Sequence, residues 1–171
     1  MNLPTPEQLI DALVTRIAAQ MAPGGWQPTA LVGMHTGGVW VMEALVERLG
    51  LQALPSGTLD TSFYRDDYAQ RGLHDEVKPS RISFDVSDQR ILLIDDVLNT
   101  GRSVRAAMNL LFDYGRPAGI RLAVLVDRGG RQLPICADYA GLSLDLPQAA
   151  RINLARDEAG QLSLVVTERQ T

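Results

Sequence analysis

Three features of the sequence predict an α/β fold in which helices flank a parallel sheet. Short, largely apolar runs recur at residues 29–34, 91–94 and 120–126, and Ile91-Leu92-Leu93-Ile94 is apolar throughout rather than alternating. Continuous apolarity marks strands buried on both faces. Stretches with apolar residues at helical spacing stand between these runs. The order strand, helix, strand over residues 90–126 is a βαβ crossover, which sets neighbouring strands parallel. A chain of 171 residues is one domain by size, 1–171, and can bury a sizeable core.

The elements follow in order. Thr5 can cap a first helix, with Pro6 at its first position and Gln8 completing a capping box. Leu9, Leu13 and Ile17 with Val14, Ala18 and Met21 form its apolar stripe, and Pro23-Gly24-Gly25 stops it. The strand at 29–34 runs into His35-Thr36-Gly37-Gly38. Val39, Met42, Leu45, Val46 and Leu49 make a second helix, closed by Gly50. Residues 53–64 read as extended, on a strand ending Thr61-Ser62-Phe63-Tyr64. From Arg65 to Asp88 the chain is polar and lacks a period, so a mobile or functional loop is expected there. A strand over 90–95 precedes a helix over 103–114, with Val104, Ala107, Met108 and Leu111 on one face and Gly115 and Pro117 beyond its end. After the strand at 120–126, Pro134 and Pro147 break up the chain. Residues 151–155 and 162–167 read as strands joined by the hairpin signal Asp157-Glu158-Ala159-Gly160.

Composition narrows the function. Twenty acidic against sixteen basic residues give a net charge of −4, which disfavours a general coat for polyanions while leaving room for a local basic patch. Lys78 is the single lysine; codon bias explains the arginine preference better than phosphate chemistry does. Cys136 is the single cysteine, so no internal disulfide forms, and His35 and His74 add too little for a zinc cluster. No apolar run approaches the length that spans a bilayer. Met1-Asn2-Leu3-Pro4 lacks the charged and apolar start of a signal peptide. A cytoplasmic, reduced protein is expected.

The chemistry concentrates in Ile91-Leu92-Leu93-Ile94-Asp95-Asp96-Val97-Leu98-Asn99-Thr100-Gly101-Arg102-Ser103. A buried strand delivers two adjacent carboxylates to its carboxyl end, the edge where open α/β sheets bind ligands. Neighbouring carboxylates repel unless hydroxyls donate to them or a divalent metal neutralises them. Thr100-Gly101-Arg102-Ser103 then opens a helix, where free N–H groups and the helix dipole attract an anion. One loop therefore offers acceptors for a diol and, a few residues on, donors for a phosphate. That pair describes a ribose 5-phosphate. Asp-Asp after a strand also occurs in receiver domains and metal phosphatases, and Thr-Gly can be a plain cap; the two halves at this spacing are what make the signal specific. His74 reads as a solvated loop residue, Cys136 as a bystander thiol, and Trp26 and Trp40 as packing or subunit contacts. Arg105 falls on the solvated face of its helix, and Arg116 reads as a helix-end charge.

The Asp-Asp to Thr-Gly-Arg-Ser segment resembles the phosphoribosyl pyrophosphate (PRPP) loop of type I phosphoribosyltransferases. The likeness extends to Tyr64-Arg65-Asp66-Asp67, to Gly115-Arg116-Pro117 and to Leu122-Ala123-Val124-Leu125-Val126-Asp127-Arg128-Gly129. It continues through Gln132-Leu133-Pro134-Ile135 and Ala137-Asp138-Tyr139. From about residue 5 to about 168 the chain resembles the bifunctional pyrimidine operon regulator / uracil phosphoribosyltransferase family.

The resemblance implies a type I phosphoribosyltransferase fold: a parallel sheet flanked by helices, with a small hood over about 127–150 and a flexible loop over about 65–88. It implies formation of uridine monophosphate (UMP) and pyrophosphate from uracil and PRPP, with magnesium. Asp95 and Asp96 would hold the ribose hydroxyls, and magnesium either directly or through those hydroxyls and water. PRPP would lie along Asp95, Asp96, Val97, Leu98, Asn99, Thr100, Gly101, Arg102 and Ser103, with the last four cradling the 5-phosphate. His35, Thr36, Gly37 and Gly38 would be the pyrophosphate loop, in which the superfamily often has a non-prolyl cis peptide. Arg65, Asp66 and Asp67 would close over PRPP, and Asp127, Arg128 and backbone near Ile152 would flank the uracil. Partners would be pyrimidine-operon RNA and further copies of the chain, as homodimer or homotetramer. The alternative is a nucleotide-sensing, RNA-binding attenuation regulator with weak or no catalysis. The sequence departs from the family pattern at His35, Gly37, Asn99 and Gly130, where Lys, Arg, Tyr and His are usual. Purine-using relatives carry Asp at the Asn99 place, and Asn cannot act as that acid or base, so a purine is the less expected substrate.

Overall fold

The computed structural model describes residues 3–61, 80–147 and 149–168. Its first helix, α1 (Pro6–Gln20), begins as its residues dictate: the Thr5 hydroxyl accepts from the Gln8 amide, and Gln8 Oε1 accepts from the Thr5 amide at 2.9 Å. Strand β1 (Ala30–Met34) leads through a tight turn into α2 (Gly37–Leu49), which ends on left-handed Gly50. Strands β2 (Ser56–Leu59) and β3 (Arg90–Leu98), helix α3 (Arg102–Tyr114) and strands β4 (Gly119–Asp127) and β5 (Tyr139–Ser143) follow. The antiparallel pair β6 (Ala150–Arg156) and β7 (Leu162–Glu168) completes the order.

Five strands make one parallel sheet in the order β2-β1-β3-β4-β5, and β6-β7 form a second sheet. The predicted parallel sheet with helices on both faces is what forms. Period-two alternation explains the two faces. Leu92 and Ile94 of β3 pack with Leu9, Leu13 and Ile17 of α1 and with Val41, Met42 and Leu45 of α2. Ile91 and Leu93 pack on the other face with Val104, Ala107 and Leu111 of α3. Both faces of β3 are covered, so its four apolar residues 91–94 are wholly buried. Ile152 and Leu154 of the hairpin join the α1–α2 face.

Four boundaries differ from expectation. β2 ends at Leu59, and Ser62, Phe63 and Tyr64 lie outside the described residues. β3 runs on to Leu98, because β4 is nine residues long and continues the ladder with Val97 opposite Val126 and Leu98 opposite Asp127. Apolarity stops at Ile94, but the backbone pairing does not. The stretch assigned to the hood contributes β5, which pairs with β4 as the sheet's edge strand. The polar segment 65–88 is anchored at its end. Val86 is wholly buried, Ile82 and Phe84 pack on the α3-side core, and Asp88 N–H donates to Arg116 O at 2.8 Å. Arg65, Asp66 and Asp67 lie outside the described residues.

Candidate active site

The winding order positions the site. From β1 the chain turns to one side to form β2, then crosses to the other side of β1 to form β3. At such a reversal the loops leaving the two central strands part, and a crevice opens at their carboxyl ends. The loops leaving β1 and β3 are His35-Thr36-Gly37-Gly38 and Asn99-Thr100-Gly101, the two segments singled out in the sequence.

These loops touch. Along β3 the side chains alternate, so Asp96 falls on the face that carries α2. A Cβ on Gly37 would stand 2.2 Å from Asp96 Oδ2 and 2.5 Å from its Cγ. One on Gly38 would stand 2.5 Å from Ile94 O. The paired glycines let the first turn of α2 lie directly on β3, with Asp96 at the positive end of the helix dipole. The His35–Thr36 peptide is cis.

Both carboxylates fold back on the chain. Asp95 Oδ1 accepts from the Asp96 amide and Asp96 Oδ1 from the Val97 amide, each at 2.9 Å. Asp95 is 6% exposed, whereas Asp96 is half-buried. Asp96 Oδ2 accepts no hydrogen bond among the described residues and faces the crevice wall formed by Gly37. Asp96 Oδ2, a hard oxygen donor beside the β1 turn, suits a magnesium ion that shares its shell with water and substrate oxygens. Among the described residues no group of three or more His, Cys, Asp or Glu could hold a metal by itself.

The phosphate half is built by what happens to carbonyls. The Leu98 carbonyl accepts from Arg128 N at 3.0 Å, and the Thr100 carbonyl from Gln132 N at 3.0 Å and Leu133 N at 3.2 Å. Residues 128–135 thus strap the back of the loop. In a trans peptide the next N–H points the opposite way, so the amides of Asn99 and Gly101 face away from the strap. Gly101 has φ +90°, a left-handed conformation suited to glycine, and it precedes α3 without any side-chain cap. The amides of Asn99, Thr100 and Gly101 donate to no group among the described residues. Ile135 closes the far side: a Cβ on Gly101 would lie 3.2 Å from its Cβ.

The other expected residues fall around this centre. Arg102 Nε donates to Gln132 Oε1 at 2.9 Å, and Arg102 N donates to Thr100 Oγ1 at 3.3 Å. Ser103 lies half-buried in the first turn of α3. Asp127 ends β4, with Oδ1 accepting from Gly129 N at 3.1 Å and Oδ2 paired with Arg131. Arg128 is 6% exposed and donates from Nη2 to Pro147 O at 3.2 Å. Ile152 is buried in the α1–α2 core. Asn99 Oδ1 sits over Gly130, 2.7 Å from where a Cβ would stand, so two of the departures from the family pattern are in contact. Sequence reasoning missed Arg131 and the bonding of the 128–135 strap. The only signal was their nearness to the Asp127-Arg128-Gly129 motif. Trp26 lies under the Arg121 guanidinium, 4.9 Å from its ring centre, as packing rather than as part of the crevice.

Comparison with known proteins agrees with this geometry. Residues 5–151 match the phosphoribosyl transferase domain family. A Pseudomonas aeruginosa protein named "Bifunctional protein PyrR" is 48% identical over 154 residues, 90% of each chain. Its namesake in Nitrosococcus oceani is 47% identical over 170 residues, 96% of each. Among solved structures, the hypoxanthine phosphoribosyltransferase of Trypanosoma cruzi superposes with TM-score 0.67 at 20% identity, covering 98% of this chain and 96% of its own. The HGPRT-ase of Leishmania tarentolae superposes with TM-score 0.63 at 17% identity, covering 96% and 95%. At those identities the two structures speak for the fold alone. Fold, crevice and sequence together place the chain in the phosphoribosyl transferase domain family, among the bifunctional PyrR proteins.

Proposed function

We propose that the protein transfers the 5-phosphoribosyl group of PRPP to uracil, forming UMP and pyrophosphate. The observation that carries this is the Asp95-Asp96 pair near the carboxyl end of β3, followed within a few residues by amides turned away from the strap just before α3. Asp95 and Asp96 accept from the ribose hydroxyls and fix the sugar's orientation. The Thr100-Gly101-Arg102-Ser103 segment takes the 5-phosphate, and the His35-Thr36-Gly37-Gly38 turn takes the leaving pyrophosphate. Positive charge grows at the anomeric carbon as pyrophosphate departs, so catalysis here is positional and electrostatic. Magnesium, held by Asp95 and Asp96 directly or through hydroxyls and water, supplies charge neutralisation at the leaving group when bound. The reaction also needs exclusion of the water that would compete as nucleophile; Arg65, Asp66 and Asp67, to which the sequence resemblance gives that role, lie outside the described residues. The hood around 127–150 and backbone near Ile152 flank the base. No helix among the described residues is long and apolar enough to cross a membrane. We place the protein in the cytoplasm, as a homodimer or homotetramer.

Chromatographic detection of UMP tests the reaction. With magnesium, PRPP and uracil, UMP accumulates and saturates, and adenine, guanine, hypoxanthine and orotate give no nucleotide. No UMP at high protein concentration would sink the enzymatic reading. The relatives' printed name, bifunctional, supports a second activity. We infer binding of pyrimidine-operon RNA, strengthened by uridine nucleotide and weakened by salt. Affinity for a leader hairpin that stays flat as UMP is added would exclude it.

A further inference from the structure

We propose that Arg131 is a positioning residue that aims the Thr100 amide at the 5-phosphate of PRPP. The loop after β3 turns three successive carbonyls onto the 128–135 strap. Those of Leu98 and Thr100 are held by backbone amides. The Asn99 carbonyl is held by a side chain, accepting from Arg131 Nη1 at 2.6 Å. The same guanidinium donates from Nε to Ile135 O at 2.8 Å and from Nη1 to Gly129 O at 3.3 Å, and it pairs through Nη2 with Asp127.

Its fork of donors is therefore spent in four directions, which fixes its place between loop and strap. The only cis peptide among the described residues is His35–Thr36. The Asn99–Thr100 peptide is trans, so holding the Asn99 oxygen toward Arg131 turns the Thr100 N–H the other way, into the crevice. That peptide unit is the one in the cradle whose direction depends on a side chain. Glycine neighbours make the hinge soft: Gly101 lies on one side and Gly129-Gly130 on the strap, all at positive φ. Asp127 enters as the anchor of the guanidinium. It links the base side of the crevice to the phosphate side through one ion pair, whose carboxylate and guanidinium are 21% and 24% exposed.

The proposal rests on the phosphate-cradle reading, and the test separates the two. Wild type, Arg131→Lys and Arg131→Gln are compared by calorimetric titration with PRPP, by KM for each substrate, and by thermal melting. Amide shifts of Thr100 are followed as ribose 5-phosphate is added. A lysine keeps the charge but cannot reach four acceptors from one nitrogen. Arg131→Lys is expected to melt close to wild type while binding PRPP at least tenfold more weakly. Its KM for PRPP rises more than its KM for uracil, and Arg131→Gln is weaker still. The Thr100 amide, shifted by ribose 5-phosphate in wild type, shifts less in both variants. Failure of wild type to bind PRPP would remove the cradle and the inference with it. Normal PRPP affinity in both variants, with wild type binding, would overturn the inference alone. So would an equal loss for both substrates with a collapsed melting temperature, or failure of both variants to fold.

Discussion

Replacing Gly37 by alanine probes the contact between the β1 loop and β3. The new methyl would lie 2.2 Å from Asp96 Oδ2, 2.5 Å from Cγ and 2.8 Å from Cβ. Because Asp96 Cβ is fixed by the backbone, no rotamer alone relieves the clash; the carboxylate must turn away and the first turn of α2 must draw back from β3. That breaks the 2.9 Å bond from the Val97 amide, a loss of about 1 kcal/mol net, with about 0.5–1.5 kcal/mol more for a strained torsion. In a domain of this size that amounts to a fall in Tm of roughly 3–10 °C. The functional effect is larger than this. A displaced Asp96 forfeits its charge-assisted bonds to the ribose hydroxyls, worth about 1.5–3 kcal/mol, or roughly 10- to 150-fold in PRPP affinity. Calorimetric titration and a melt on the same samples measure both numbers. Combining the change with Asp96→Ala then closes a cycle in which the two losses fall well short of additive, since both act through one carboxylate. A folded Gly37→Ala protein with unaltered PRPP affinity would refute the contact's role, as would strict additivity.

Three other outcomes follow from the same structure. Gly101→Val places a β-branched residue at φ +90° against Ile135 and should weaken PRPP binding by tenfold or more in titration, with uracil binding little affected. Leu93→Ala empties a wholly buried position between β3 and α3; denaturant unfolding should show about 2–5 kcal/mol lost with PRPP affinity per folded molecule preserved. Arg48→Ala removes the ion pair with Asp11, whose carboxylate is 69% exposed, and should change stability by less than about 1 kcal/mol.

How much of this was legible in the sequence depended on whether the signal was local. The strand at Ile91-Leu92-Leu93-Ile94 was plain because burial on both faces leaves no polar position to interrupt it. Thr5, Pro6 and Gln8 announced α1 because capping is settled within four residues. β5 was missed for the opposite reason: Tyr139-Ala140-Gly141-Leu142-Ser143 is short and contains glycine, and it becomes a strand only because β4 offers it an edge. The acids and the Thr-Gly turn of the candidate site were legible by spacing. The contact of Gly37 with Asp96 was not, since the partners are 59 positions apart and meet only after β1 and β3 pair. Arg131 was equally silent. An arginine in a glycine-rich loop reads as solvated until the carbonyls it gathers are brought to it.

The most direct test of the cradle is a crystal structure of the protein with UMP bound. The phosphate should sit against the amides of Thr100, Gly101, Arg102 and Ser103, with the ribose hydroxyls on Asp95 and Asp96 and the uracil toward the hood. Phosphate density elsewhere, with those amides turned inward to the protein or the two acids facing away from the nucleotide, would contradict it.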